Sequence, residues 1–157
     1  MRKQVLFAVA MVFLCGCAAN VIHHSEQSAA QSAVQFVKQA FVQRDISGSY
    51  LLLSENFRAH YSAEQYNRLV IQLHPSSYPS WVAAEEFEPL AGQQAMNVFL
   101  HGANGEEEFF YRFAMEGTAE TGYKVAGVFR GNGPYPSSQL RRKLEARYSS
   151  EDARSAR

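Results

Sequence analysis

The chain has 157 residues, in which 15 Lys or Arg are balanced by 15 Asp or Glu. That length predicts one domain, and the balanced charge gives no general case for a nucleic-acid partner. Aromatic residues make up 13% of the sequence, enough to build a core, and no repeat or low-complexity block interrupts it.

Arg2 and Lys3 precede an apolar run, Val5–Leu14, which has the length of a secretory signal core and is too short to span a bilayer. The run ends in Leu14-Cys15-Gly16-Cys17. This resembles the lipobox of bacterial lipoprotein signal peptides, with Leu three places before an obligatory Cys and a small residue just before it. Cys15 departs from the commoner Ala or Ser but is small enough to pass. The resemblance implies a signal peptide over residues 1–16, transfer of diacylglycerol to Cys17, cleavage before it, and acylation of the new amino terminus. Each buried methylene contributes about 0.8 kcal/mol, so several acyl chains imply a stable anchor. Ala18 in place of Asp implies, by the same analogy, sorting to the outer membrane on the periplasmic side. The alternative is an ordinary secretory signal cut elsewhere. Both cysteines of the chain lie in this segment, so no disulfide is expected in the mature protein. Loss of Arg2 and Lys3 leaves 13 basic against 15 acidic residues.

Residues 17–27 are small and polar and read as a tether. His23-His24 is weighed as a metal pair and set aside. Adjacent histidines do not share a helix face, and no neighbouring Cys or acidic cluster completes a site. A domain is expected over 28–136. Its first helix starts near Ser28, with Ala33, Val34, Val37, Ala40 and Phe41 in a helical stripe. Asp45 has the position of an N-cap for a short helix over Ile46–Leu53. Ser54–Tyr61 reads as irregular. Ser62 and Gln65 have the capping-box spacing and open a third helix, which Pro75 and Pro79 end.

Four strands follow. Trp81–Phe87, Gln93–His101, Phe109–Met115 and Tyr123–Arg130 are separated by Gly92, Asn104-Gly105 and a loop holding Gly117 and Gly122. Side chains alternate faces along a strand, which puts Phe109, Tyr111, Phe113 and Met115 on the core face and Arg112 opposite, with its head in water. The same alternation puts Tyr123, Val125 and Phe129 on one face and Lys124, Ala126, Val128 and Arg130 on the other. Gly131–Pro136 is a stop. The charged tail, 137–157, could hold a short helix around Leu140 and Leu144 and is expected to be disordered from Ser149 on. Deleting Ser149–Arg157 is therefore expected to change stability by no more than about 0.5 kcal/mol.

Helices followed by an antiparallel meander make an α+β domain, with the helices packed on one face of a curved sheet of about four strands. A long first helix, the turn Gln43-Arg44-Asp45 into a second helix, and the closing strand Gly122–Val128 resemble the NTF2-like (cone-shaped α+β) superfamily over about residues 28–131. The resemblance implies a pocket at the open end of the cone. Some members of the family are isomerases, dehydratases or cyclases using Asp, His or Tyr there, and many are binding or dimerisation modules.

Asp45 as a general base is weighed against the cap and yields to it. His101, on the strand face of Asn97 and Phe99, is a candidate pocket-lining histidine, and His60 with Tyr61 a candidate acid–base pair. His74 before Pro75 fits a helix C-terminus. Glu85, Glu86 and Glu88 read as a solvated edge strand, and Glu106-Glu107-Glu108 as a solvated turn. The sequence contains no nucleophile elbow, phosphate loop, zinc spacing or cofactor motif, so no catalytic residue, metal or cofactor is assigned. Two functions are expected. The first is a lipid-anchored, non-enzymatic domain facing the periplasm that binds a partner protein or a small apolar ligand, without nucleic acid. The alternative is an NTF2-like enzyme acting on a small organic substrate.

Overall fold

The computed structural model describes residues 22–151; the lipobox and the last residues of the tail lie outside the described residues. Among the described residues four helices precede one sheet. Helix α1 spans Glu26–Val37; its N-cap Ser25 accepts a hydrogen bond from the Ser28 amide. It presents Ala29, Ala30, Ala33, Val34, Phe36 and Val37 inward, and the alanines let its backbone come close to the sheet. Its last stretch, Lys38–Val42, is a π turn closed by the Gln43 amide on the Lys38 carbonyl at 2.8 Å, with Ala40 and Phe41 buried. Arg44, at φ 58°, takes the left-handed conformation that stops the helix. Asp45 then caps α2, Ile46–Tyr50, accepting from the Gly48 amide at 2.9 Å. Ser62 and Gln65 form the full capping box of α4, Ala63–Leu73.

Between them Glu55–His60 forms helix α3, capped by Ser54, where the sequence reads as irregular. The segment is too short for a periodic signal, and its single cap and its packing hold it.

The sheet has five antiparallel strands, not four: β1 Trp81–Pro89, β2 Ala95–Ala103, β3 Glu108–Thr118, β4 Gly122–Gly131 and β5 Arg142–Ser149. Their spatial order is β4-β3-β2-β1-β5. The first four are the expected meander. At the β3–β4 hairpin Gly117 sits at φ +139°, where a Cβ would lie 1.8 Å from the Gly122 carbonyl oxygen, so only glycine closes the turn. The arrangement, helices on one face of an open curved antiparallel sheet, is compatible with an NTF2-like α+β fold.

On the helix-facing side Phe109, Tyr111, Phe113 and Met115 are all fully buried, and they interlock with Phe36, Phe41 and Tyr66. Phe113 meets Phe36 with ring centroids 5.5 Å apart, and Phe41 meets Tyr111 at 5.4 Å. Strand β4 departs from simple alternation. Ala114 pairs with Gly127 and Met115 with Val125, so Ala126 is an extra residue bulged out of the ladder. Tyr123 and Val125 face the core as expected. Beyond the bulge the faces exchange: Val128 packs on the core, Arg130 lies opposite Tyr111, and Phe129 lies opposite Arg112 on the other side, 47% exposed.

Strand β5 replaces the expected short helix around Leu140 and Leu144. It pairs with β1 through Phe87–Arg142, Glu86–Lys143, Ala84–Tyr148 and Ala83–Ser149. Strand β1 is therefore an interior strand, and Glu85, Glu86 and Glu88 are not on a solvated edge. Glu86 pairs with Arg141 at 3.4 Å, Glu85 approaches Arg147 at 3.7 Å, and Glu88 accepts from Ser138 at 2.5 Å. The chain leaves β4 at one edge and reaches β5 at the other, so residues 132–141 cross the sheet face opposite the helices. The end of β5 is tied down as well. Ser150 is buried; its amide donates to the Val82 carbonyl at 2.8 Å and its hydroxyl accepts from the Val82 amide at 3.0 Å. Deleting Ser149–Arg157 would orphan both Val82 groups, each costing about 1–3 kcal/mol when buried without a partner. The truncated chain is expected to melt several degrees lower, contrary to the sequence expectation. An unchanged melting temperature in calorimetry would show that the Ser150 contacts contribute nothing.

Candidate functional site

The face of the sheet away from the helices carries a row of aromatic rings, several of them overlaid by a cation. Alternation along β1 to β4, with the bulge in β4, puts Trp81, Phe99, His101, Phe110, Arg112 and Phe129 there. Arg147 lies over Trp81 at 5.1 Å, Arg141 over Phe99 at 3.7 Å, and Arg112 over Phe129 at 4.5 Å. Such contacts contribute about 0.5–1 kcal/mol where exposed and more when desolvated. Arg112 thus has its guanidinium on rings, not free in water.

The crossing segment roofs the middle of this face. Tyr135 stands edge-on to Phe99 at 5.6 Å and donates to the Phe129 carbonyl at 3.1 Å. Arg141 donates to the Tyr135 carbonyl at 3.0 Å while paired with Glu86. Beside the roof lies a cavity of about 230 Å³ whose walls include Phe99, His101, Phe110, Tyr135, Glu86 and Arg141. That is below the range of pockets that take drug-sized ligands, about 300–1,000 Å³, and suits an apolar side chain or small ring. His101 stacks on Phe110 at 5.0 Å, meets Trp81 edge-on at 5.5 Å, and has Nε2 3.6 Å from the Glu108 carboxylate, beyond hydrogen-bond length. Its position gives it a wall of the cavity. It has no carboxylate close enough to orient it as a base.

His60 and Tyr61 are elsewhere. Helix α3 ends on them in the helix layer, across the sheet from His101. His60 Nδ1 is 2.8 Å from its own helix's Asn56 carbonyl, and Tyr61 stacks on Phe57 at 4.6 Å with its ring outward. Because Ser54 makes this segment a helix, both residues turn back onto it, and neither shares a site with His101. His23 and His24 are pinned, not part of a free tether. The His23 carbonyl accepts from the Ala119 amide at 2.9 Å, and the His24 ring lies between the Tyr123 hydroxyl at 3.2 Å and the Gln93 carbonyl at 3.1 Å.

The helix side holds a buried polar group of which the sequence shows only the His74 helix terminus. The His74 ring lies between Phe41 at 4.3 Å and Tyr78 at 4.6 Å. Its Nδ1 is 3.2 Å from the Val70 carbonyl, the expected helix C-terminal role, and its Nε2 is 2.7 Å from the Tyr111 hydroxyl. A carbonyl only accepts, so Nδ1 carries the hydrogen and Nε2 accepts from Tyr111. Burial pushes His74 down to about 4, opposed by the Val70 carbonyl and aided by Arg130, and burial also raises the Tyr111 hydroxyl. Both are uncharged at neutral pH. Arg130 extends the group: it donates to the Leu73 carbonyl at 2.7 Å, pairs with Glu107, and lies over Phe109 at 4.6 Å. Glu107, expected to be solvated, is held below the usual carboxylate range by the Ser77 hydroxyl and then by Arg130. This cluster fastens the C-terminus of α4 to β3 and β4. A buried strand tyrosine needs a hydroxyl partner, and that need is the signal in the sequence.

No protein-family model, curated protein or solved structure matches the chain.

Proposed function

We propose that the protein is a bacterial envelope lipoprotein, anchored through acylated Cys17 in the outer membrane and facing the periplasm. In this reading its NTF2-like domain binds without catalysis, taking an apolar or aromatic group of a small ligand or of a partner protein's side chain in the cavity beside Tyr135. The observation that supports binding over chemistry is the filling of the space between helices and sheet. Phe36, Phe41, Tyr66, Tyr111 and Phe113 occupy it at no more than 1% exposure, where the enzymes of this superfamily would hold a substrate. The buried hydroxyls there are bonded internally, Tyr66 to Ser49 at 2.8 Å and Tyr111 to His74. The opposite face keeps an aromatic recess with polar groups at its rim, the usual make-up of a binding site.

Affinity capture of the full chain from detergent-solubilised membranes, with bound proteins and small molecules identified, tests both halves. Cys17→Ser is expected to lose its acyl mass and leave the membrane fraction. Phe110→Ala, on the outer face, is expected to stay anchored and folded but retain about tenfold less of whatever wild type carries, as loss of an aromatic anchor does. A Cys17→Ser variant that is still acylated would overturn the anchor, and unchanged retention by Phe110→Ala would overturn the site.

A further inference from the structure

We propose that the domain stands on the bilayer by the end that carries the β1–β2 and β3–β4 turns, without inserting, so that the aromatic cavity is held out toward the aqueous phase. The inference rests on the proposed anchoring at Cys17 and adds an orientation to it. The described chain begins at this end and is clamped there. The His23 carbonyl is bonded to Ala119, His24 to Tyr123 and Gln93, and the Ser25 amide donates to the Tyr123 hydroxyl at 2.9 Å. Six peptide steps separate Cys17 from His23, the first clamped residue. Whatever path they take, they span at most about 22 Å. Strand β3, by contrast, runs from Glu108 to Thr118, about 33 Å at the rise of a strand. The first clamped residue therefore stays within about 22 Å of the anchor, while the far end, at Asn104–Glu107, can move up to a strand length farther away.

The chemistry of the clamped end argues against insertion. Its exposed side chains include Gln93, Gln94, Glu116, Glu120 and Thr121, with Lys124 nearby. They form neither the apolar face nor the basic cluster that binds a lipid surface. Position along the strands then decides what the cavity meets. His101 and Phe110 are paired across β2 and β3, two residues from the far turn, so Phe110 is eight residues along β3 from the clamped end. At about 3.3 Å per residue that is about 26 Å. In the proposed orientation the cavity therefore faces a partner arriving through the aqueous phase, away from the acyl chains of the bilayer.

The test uses the full chain with one introduced thiol, Thr121→Cys at the near turn or Glu106→Cys at the far turn, both at exposed positions. Cys17 sulfur in a thioether does not react with a maleimide dye. The labelled proteins are reconstituted into phosphatidylethanolamine–phosphatidylglycerol vesicles carrying an acceptor dye on the headgroup, and their mass is measured. Energy transfer is expected to be several-fold more efficient from position 121 than from 106. Equal or reversed transfer in protein of acylated mass would overturn the orientation and leave the anchor standing. Protein of unmodified mass that fails to float with the vesicles would overturn the anchor, and the orientation with it.

Discussion

Phe113→Ala is expected to cost about 3–5 kcal/mol in urea unfolding of a soluble chain starting after Cys17. Phe113 is fully buried at mid-strand and touches the rings of Phe36 at 5.5 Å, Tyr111 at 6.1 Å and Phe41 at 6.5 Å. The ring is replaced by a methyl group among close-packed aromatic neighbours, which leaves a cavity. Since whole-domain stability is about 5–15 kcal/mol, much of the margin would go. Arg112→Ala, one residue away, removes only the stack on Phe129 and the looser approach to Tyr135 at 5.8 Å, about 1 kcal/mol. The contrast is a test of register, because a slip of one residue exchanges the two faces. Equal losses would contradict the pairing of β3 with β2 and β4.

The second large effect is on pH dependence. In the unfolded chain a histidine takes its proton near pH 6.5, and folded His74 does so only near about 4. Between these values the unfolded chain binds more protons, so stability falls as pH falls. The contribution of neutral His74 is complete above pH 6.5 and is lost progressively down to about pH 4, in all about 3 kcal/mol. Glu107 has its carboxyl lowered in the fold, so its contribution is present above its unfolded value and fades only at lower pH. Of these two groups, the window from about 6.5 to 5.5 therefore reports mainly the histidine. His74→Phe keeps a ring between Phe41 and Tyr78 and removes the titration. It leaves the Tyr111 hydroxyl unpaired, so it starts less stable, but its stability is expected to be nearly flat across that window while wild type declines. Parallel slopes would contradict the buried neutral imidazole.

The helix layer is largely legible from local chemistry. Asp45 and Ser62 announce their caps within three residues, and the stripe from Ala33 to Phe41 announces α1. Alternation likewise gives the inward face of β3. The features that are not legible depend on distant or uneven pairing. The Ala126 bulge adds one residue, and nothing in Val125-Ala126-Gly127 marks where alternation breaks, so simple alternation puts Phe129 and Arg130 on the wrong faces. Strand β5 is charged and half-exposed, and only its ladder with β1, more than 50 residues earlier, makes it a strand. His74 and Tyr111 are 37 residues apart, so reading His74 as a helix terminus finds one of its two bonds. His101 does lie on the face of Phe99, yet the recess beside it depends on Tyr135 and Arg141, which a stop and a tail give no reason to place over the sheet.

Photocrosslinking in living cells tests most directly whether the outer face of the sheet is the working surface. A benzophenone amino acid at Tyr135, beside the cavity, is compared with one at Tyr61, exposed on the helix layer. Irradiation of the full chain is expected to give a discrete crosslinked product from position 135, diminished by Phe110→Ala, and none from position 61. A product from position 61 alone would contradict the assignment of binding to this face.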